Sequence, residues 1–125
     1  MAKLTTGIFE VPATTVGTDG FPNIACISLN NRTAFTRSVS VVVVRCPLGA
    51  DGEQIIFSQQ ITLGPRSCTF RGVDSYSPLD TLRVDFAGDI DEDGETVTAS
   101  VVGRRSSDGS LEPTMFFRHG NLVEL

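Results

Sequence analysis

Asp89-Ile-Asp-Glu-Asp-Gly-Glu95 sets three aspartates, Asp89, Asp91 and Asp93, at alternate positions and follows them with Gly94. Carboxylates so spaced supply the first three ligands of a calcium loop, and glycine at the sixth position makes its sharp turn. Glu95 and main-chain carbonyls would extend the oxygen set. The twelfth position is Ser100, where such a loop places a bidentate glutamate. The flanking residues also alternate like strands rather than repeating like helices. At most a weak Ca2+ site follows, built from Asp89, Asp91, Asp93 and Glu95, and no other cofactor is expected. The competing reading is a hairpin tip, with Asp93-Gly94 turning the chain between strands 81–87 and 96–102.

Other reactive groups are sparse. His119 is the single histidine, and no nucleophile elbow, zinc-protease motif or phosphate loop accompanies it. The chain is therefore not expected to be an enzyme; any catalytic role would run through His119. Cys26, Cys46 and Cys68 form no CxxC pair, which excludes a zinc ribbon or a thioredoxin-type centre. They read as small buried apolar residues, with an odd thiol left free or paired between molecules. Asn31-Arg-Thr33 matches a glycosylation triplet short enough to arise by chance.

The elements that position these residues are strands. Leu82, Val84 and Phe86 alternate with Arg83 and Asp85, and Val97, Ala99 and Val101 alternate with Thr98 and Ser100. Ile27 and Leu29 share a face in 23–30, and Ile55, Phe57, Ile61 and Leu63 align in 53–63. Residues 35–46 read as one long strand whose run Val41, Val42, Val43, Val44 is apolar on both faces, the pattern of a central strand. Asp51-Gly52, Asp93-Gly94 and Asp108-Gly109 are turn dipeptides, and residues 113–125 hold a last strand or two. The expected fold is all-β: a single β-sandwich or jelly roll of about eight antiparallel strands. It divides into an extended N-terminal arm, 1–20, and a sandwich domain, 21–125.

Composition narrows the partners. The 125 residues carry a formal charge of −5, which disfavours nucleic acid, whose phosphates need a basic face. Lys3 is the sole lysine and every other cation is arginine, a residue suited to interfaces, although biased genome composition gives the same result. No apolar run reaches membrane-spanning or signal-peptide length. The absence of Trp, a single tyrosine, and eight phenylalanines assigned largely to apolar strand faces weigh against a carbohydrate-binding module. The arm carries Leu4, Ile8, Phe9 and Val11 ahead of Pro12. Such a segment either folds back as an edge strand or adds to a neighbour's sheet.

Three stretches together carry a resemblance: the opening MAKLTTGIFEVPATTVGTDGFPNI, the turn Ile61-Thr-Leu-Gly-Pro-Arg-Ser67, and the ending Phe117-Arg-His-Gly-Asn-Leu-Val-Glu-Leu125. The chain resembles small β-rich proteins of spore surfaces and extracellular fibres in spore-forming Gram-positive bacteria, and its layout is similar to the jelly-roll subunits of endospore appendages. The resemblance implies a homopolymer at the spore or cell surface, exported without a classical signal peptide. It also implies an N-terminal segment that reaches into the next subunit. Those subunits carry arm cysteines; residues 1–20 here have none, so the joint would rest on strand addition and apolar burial. The expectation is a structural protein joined by donor-strand complementation. Leu4, Ile8, Phe9 and Val11 would be its anchors, and Val41, Val42, Val43 and Val44 the acceptor neighbourhood. The alternative is a monomeric or dimeric surface-binding or adhesion module, calcium-dependent if the acidic loop binds metal.

Overall fold

A computed structural model describes residues 2–15, 20–49 and 51–125. Ten strands form among them: β1 Ala2–Thr5, β2 Phe9–Glu10, β3 Ile24–Asn31, β4 Arg37–Cys46, β5 Gln54–Leu63, β6 Cys68–Val73, β7 Thr81–Gly88, β8 Val97–Arg104, β9 Leu111–Phe117 and β10 Val123–Glu124. The single helical turn described is a 3-10 turn at His119–Asn121. No helix of the described residues is long and apolar enough to cross a membrane.

The strands make two antiparallel sheets packed face to face. One runs β10-β1-β7-β4-β5, with β2 also paired to β7; the other runs β6-β3-β8-β9. Alternation places the core between them. Val39, Val41, Val43, Val84, Phe86 and Leu4 from the first sheet meet Ile27, Leu29, Val97, Ala99 and Val101 from the second. A satellite cluster at one end holds Val11, Ala25, Tyr76, Leu82 and Met115. The all-β sandwich expected from the sequence is the fold, with ten described strands where about eight were expected.

Two short arm strands account for much of the difference. β1 pairs with β7 from Ala2↔Gly88 to Thr5↔Asp85, and β2 continues alongside it at Phe9↔Leu82. Residues 2–11 are thus part of the six-stranded sheet in the single chain. β6 lies outside the strands expected from the alternation.

Polar residues tie the connections. Asn31 is fully buried; its amide donates to the carbonyls of Phe35 (2.7 Å), Gly64 (2.9 Å) and Leu63 (3.3 Å), and its Oδ1 accepts from the Thr33 N–H. The residue that matched a glycosylation triplet is an internal brace, with no exposed amide to modify. Asp80, also buried, pairs with Arg45 at 3.0 Å and accepts the N–H groups of Ser77 and Leu48.

In β5 the expected alignment breaks. A bulge between Val43 and Val44 puts Phe57 opposite Val43 but Ile55 opposite Val44. The extra residue turns Ile55 outward, where it is largely exposed, while Ile61 and Leu63 stay in the core.

Candidate functional site

The acidic loop is not a hairpin tip. β7 has β4 on one side and β1 and β2 on the other, whereas β8 lies between β3 and β9 in the opposite sheet. Residues 89–96 therefore cross from one sheet to the other. β7 and β8 pair with other strands and not with each other, so Asp93-Gly94 has no hairpin to close.

Several oxygens of this loop are engaged within the chain. Asp89 Oδ2 accepts the Ser38 N–H at 2.9 Å, and its carbonyl accepts the Thr96 hydroxyl. Asp93 Oδ1 accepts the Glu95 N–H, the turn that aspartate favours at such positions. Gly94 takes a left-handed φ of 69°, and its carbonyl accepts from the Arg32 guanidinium. Glu92, at the tip, shares a hydrogen bond with Glu124 of β10, which holds its carboxyl above the usual carboxylate range. Among the described residues no three acidic, histidine or cysteine side chains converge as a metal site. Asp89, Asp91, Asp93 and Glu95 share a loop without sharing a centre, and Ser100, the would-be twelfth ligand, stands on β8 facing outward.

His119 explains why the loop takes this form. Its Nδ1 accepts the Ala99 N–H at 3.1 Å, and its Nε2 sits 2.7 Å from the Asp91 carbonyl. A carbonyl only accepts, so Nε2 carries the proton and donates. The N-terminal half of β8 runs beyond the end of β9, and the imidazole caps that open edge while gripping the loop. With both nitrogens bonded to main chain, the ring has no nitrogen left over for a substrate in this state.

The four arm anchors divide. Leu4 and Val11 are fully buried, Phe9 is half-buried and packs at a tilt against Phe117 with ring centroids 4.8 Å apart, and Ile8 is 73% exposed. The arm lies against β7, not β4. Val41 to Val44 sit on a strand paired on both sides, by β5 and β7, so they offer no open edge to an added strand. Strand addition needs unpaired main-chain groups. The place an arm fills in this molecule is the slot between β7 and β10.

The outer face of the four-stranded sheet holds a hollow of about 640 Å³. Ser28 and Asn30 of β3 lie opposite Ser100 and Thr98 of β8, and opposite Phe70 and Cys68 of β6. Their neighbours Ile27, Leu29, Val97 and Ala99 point into the core, so these polar side chains form a floor that faces solvent. Phe70 stands as one wall, 62% exposed, and Arg118 with His119 forms the other. The Arg118 guanidinium lies 5.4 Å from the centroid of the Phe116 ring. A second hollow, lined by Leu111, Pro113 and Asn121, begins beyond Phe116 and Arg118. The expectation that the phenylalanines sit on apolar faces holds for Phe86 but fails for Phe35, Phe70 and Phe116, which are exposed. A signal was available: Cys68-Thr-Phe70-Arg alternates, and its aromatic residue shares a face with the outward positions of β3.

Against known proteins, no family model matches the chain, and no curated protein matches it. Among solved structures it is similar to the crystal structure of Thermotoga maritima 1070, at 9% identity and a TM-score of 0.53, over 94% of this chain and 93% of that one. At that identity the likeness is one of fold alone.

Proposed function

We propose that this chain is a self-assembling structural subunit whose N-terminal strand exchanges between copies, so that residues 2–11 fill the slot beside β7 of a neighbour. The observation that carries this is the burial of Leu4 and Val11, both fully enclosed although they belong to a terminal segment. An arm from another copy would make the same bonds: the β1–β7 pairing, Thr6 N–H to Val84 O and Val11 N–H to Asp80 O. Exchange then changes no contact energy, and concentration and connector length decide the balance. The connector from β2 to β3, Val11 to Asn23, reaches at most about 45 Å when extended, enough to span adjoining small domains. A head-to-tail exchange that does not close on itself yields a filament. The resemblance to spore-surface and appendage subunits supports the same reading and implies a product at a cell or spore surface.

A simple truncation is a poor test, because it also removes two core residues. A disulfide that locks the arm at home is better. Thr6 donates to Val84, so Lys3 and Ala87 form a non-hydrogen-bonded pair, the closer kind. Lys3→Cys with Ala87→Cys, in a background with the three native cysteines replaced, joins the arm to its own β7. Negative-stain microscopy and sedimentation then compare oxidised and reduced protein, with mass spectrometry confirming the intramolecular link. Arm exchange requires filaments from the reduced chain and monomers from the oxidised one. Equal assembly of the locked chain, or monomers from the reduced chain at every concentration, refutes it.

A further inference from the structure

The hollow on the four-stranded sheet lies on the face opposite the sheet that holds the arm, so it stands or falls separately from arm exchange. Its floor consists of one hydroxyl–hydroxyl row and one amide–hydroxyl row. Ser28 pairs with Ser100 and Asn30 with Thr98 across strands about 4.8 Å apart, and the rows are separated by two residues, roughly 7 Å. Among the described residues these four side chains make no hydrogen bond to protein. Each hydroxyl or amide both donates and accepts. The hollow therefore presents a small lattice of two-way hydrogen-bonding groups, in a protein that engages most of its other Asn and Asp side chains in turns and braces.

The walls add two further demands. Phe70 exposes its ring at the edge of the floor, a flat apolar surface of the kind that packs on the C–H face of a sugar ring. Arg118 has no carboxylate partner among the described residues, although the chain as a whole is acidic. Its guanidinium rests near the Phe116 ring, and its backbone is fixed next to His119, which is bonded at both nitrogens. An arginine so held is preorganised for bidentate contact with an anion.

We propose that this groove binds an acidic oligosaccharide, with the sugar hydroxyls on the Ser28–Asn30–Thr98–Ser100 floor, one ring against Phe70 and a carboxylate on Arg118. Charge complementarity selects the occupant. A nucleic acid would need several unpaired cations, and the groove has one. An extended peptide gains most from a sheet edge with pockets for alternate side chains, whereas this surface is a sheet face with a polar floor.

The test uses the full chain and two probes of equal length, tetragalacturonate and the neutral cellotetraose, followed by calorimetry and by backbone amide shifts. The charged tetramer is expected to bind about tenfold or more tightly than the neutral one, the scale of one charge-assisted contact. It should also shift the amides of Ser28, Asn30, Thr98 and Ser100. Arg118→Ala abolishes the preference, Arg118→Lys restores only part of it, and Phe70→Ala weakens both sugars. Both side chains project to solvent, and unchanged thermal unfolding confirms that the variants fold. The proposal is overturned if neither tetramer shifts those amides, if binding survives both substitutions, or if an acidic tetrapeptide binds more tightly than tetragalacturonate.

Discussion

Replacing Asn31 tests whether a residue that reads as a surface motif is instead the brace between two connections. Its amide holds Phe35 in the β3–β4 connection and Leu63 and Gly64 where β5 leaves the six-stranded sheet for β6. The main chain nearby adds Asn31 N–H to Ser67 O and Arg66 N–H to Thr33 O. Asn31→Ala removes the two N–H donors that serve these three carbonyls and leaves the Leu63 carbonyl buried without that donor. An orphaned buried group costs about 1–3 kcal/mol, and the other two carbonyls are only partly buried and regain water. The expected loss is roughly 3 kcal/mol in urea unfolding, a large share of a small domain's stability. Asn31→Asp keeps the shape but points a carboxylate at the same carbonyls. Its penalty should exceed that of alanine near neutral pH and shrink on acidification, when a protonated carboxyl can donate one bond. Amide exchange should quicken first at Arg66 and Ser67. An Asn31→Ala chain within about 0.5 kcal/mol of the parent would refute the brace, because that is the range of an ordinary surface substitution.

Two further outcomes follow from the same structure. Leu4→Ala should cost about 2–5 kcal/mol by calorimetry, as for other enclosed leucines, while Ile8→Ala stays within about 0.5 kcal/mol; equal effects would contradict the division of the arm anchors. Tyr76 donates to the Pro22 carbonyl at 2.6 Å, and burial, aided by Cys26 and Asp74, pushes its phenol well above the ordinary value of about 10. A raised folded-state value means that its contribution is complete below about pH 10 and is lost as pH climbs further, so Tyr76→Phe should flatten the alkaline limb of stability. Tyr76 is the only tyrosine, so absorbance at 295 nm reads it alone, and ordinary titration near 10 in the folded protein would sink the claim.

The acidic loop shows how a local motif takes its meaning from tertiary position. Alternate aspartates and a glycine turn were legible in the residues, and so was the missing twelfth ligand. That Asp89 would bond Ser38, that Arg32 would reach the Gly94 carbonyl, and that His119 would clasp Asp91 was not. Each partner lies at least 28 residues away in sequence. The groove was hidden for a related reason. Phe70, Ser28, Ser100 and Arg118 come from four separate segments, and only the order β6-β3-β8-β9 gathers them on one face.

By itself the sequence determined which faces are apolar. Val97, Ala99 and Val101 had to turn inward together because side chains alternate along a strand, and Asp108-Gly109 had to turn the chain between two such runs. Tertiary structure decided the rest: that β7 and β8 belong to opposite sheets, that the arm lies beside β7 and not β4, and that a bulge at Val43 reverses Ile55. The physical reason is that strands pair through main-chain groups common to every residue. The side-chain period of two therefore names the buried face of a strand but leaves its neighbour open. That choice falls to long-range packing, to which edges other strands have already filled, and to buried braces such as Asn31 and Asp80.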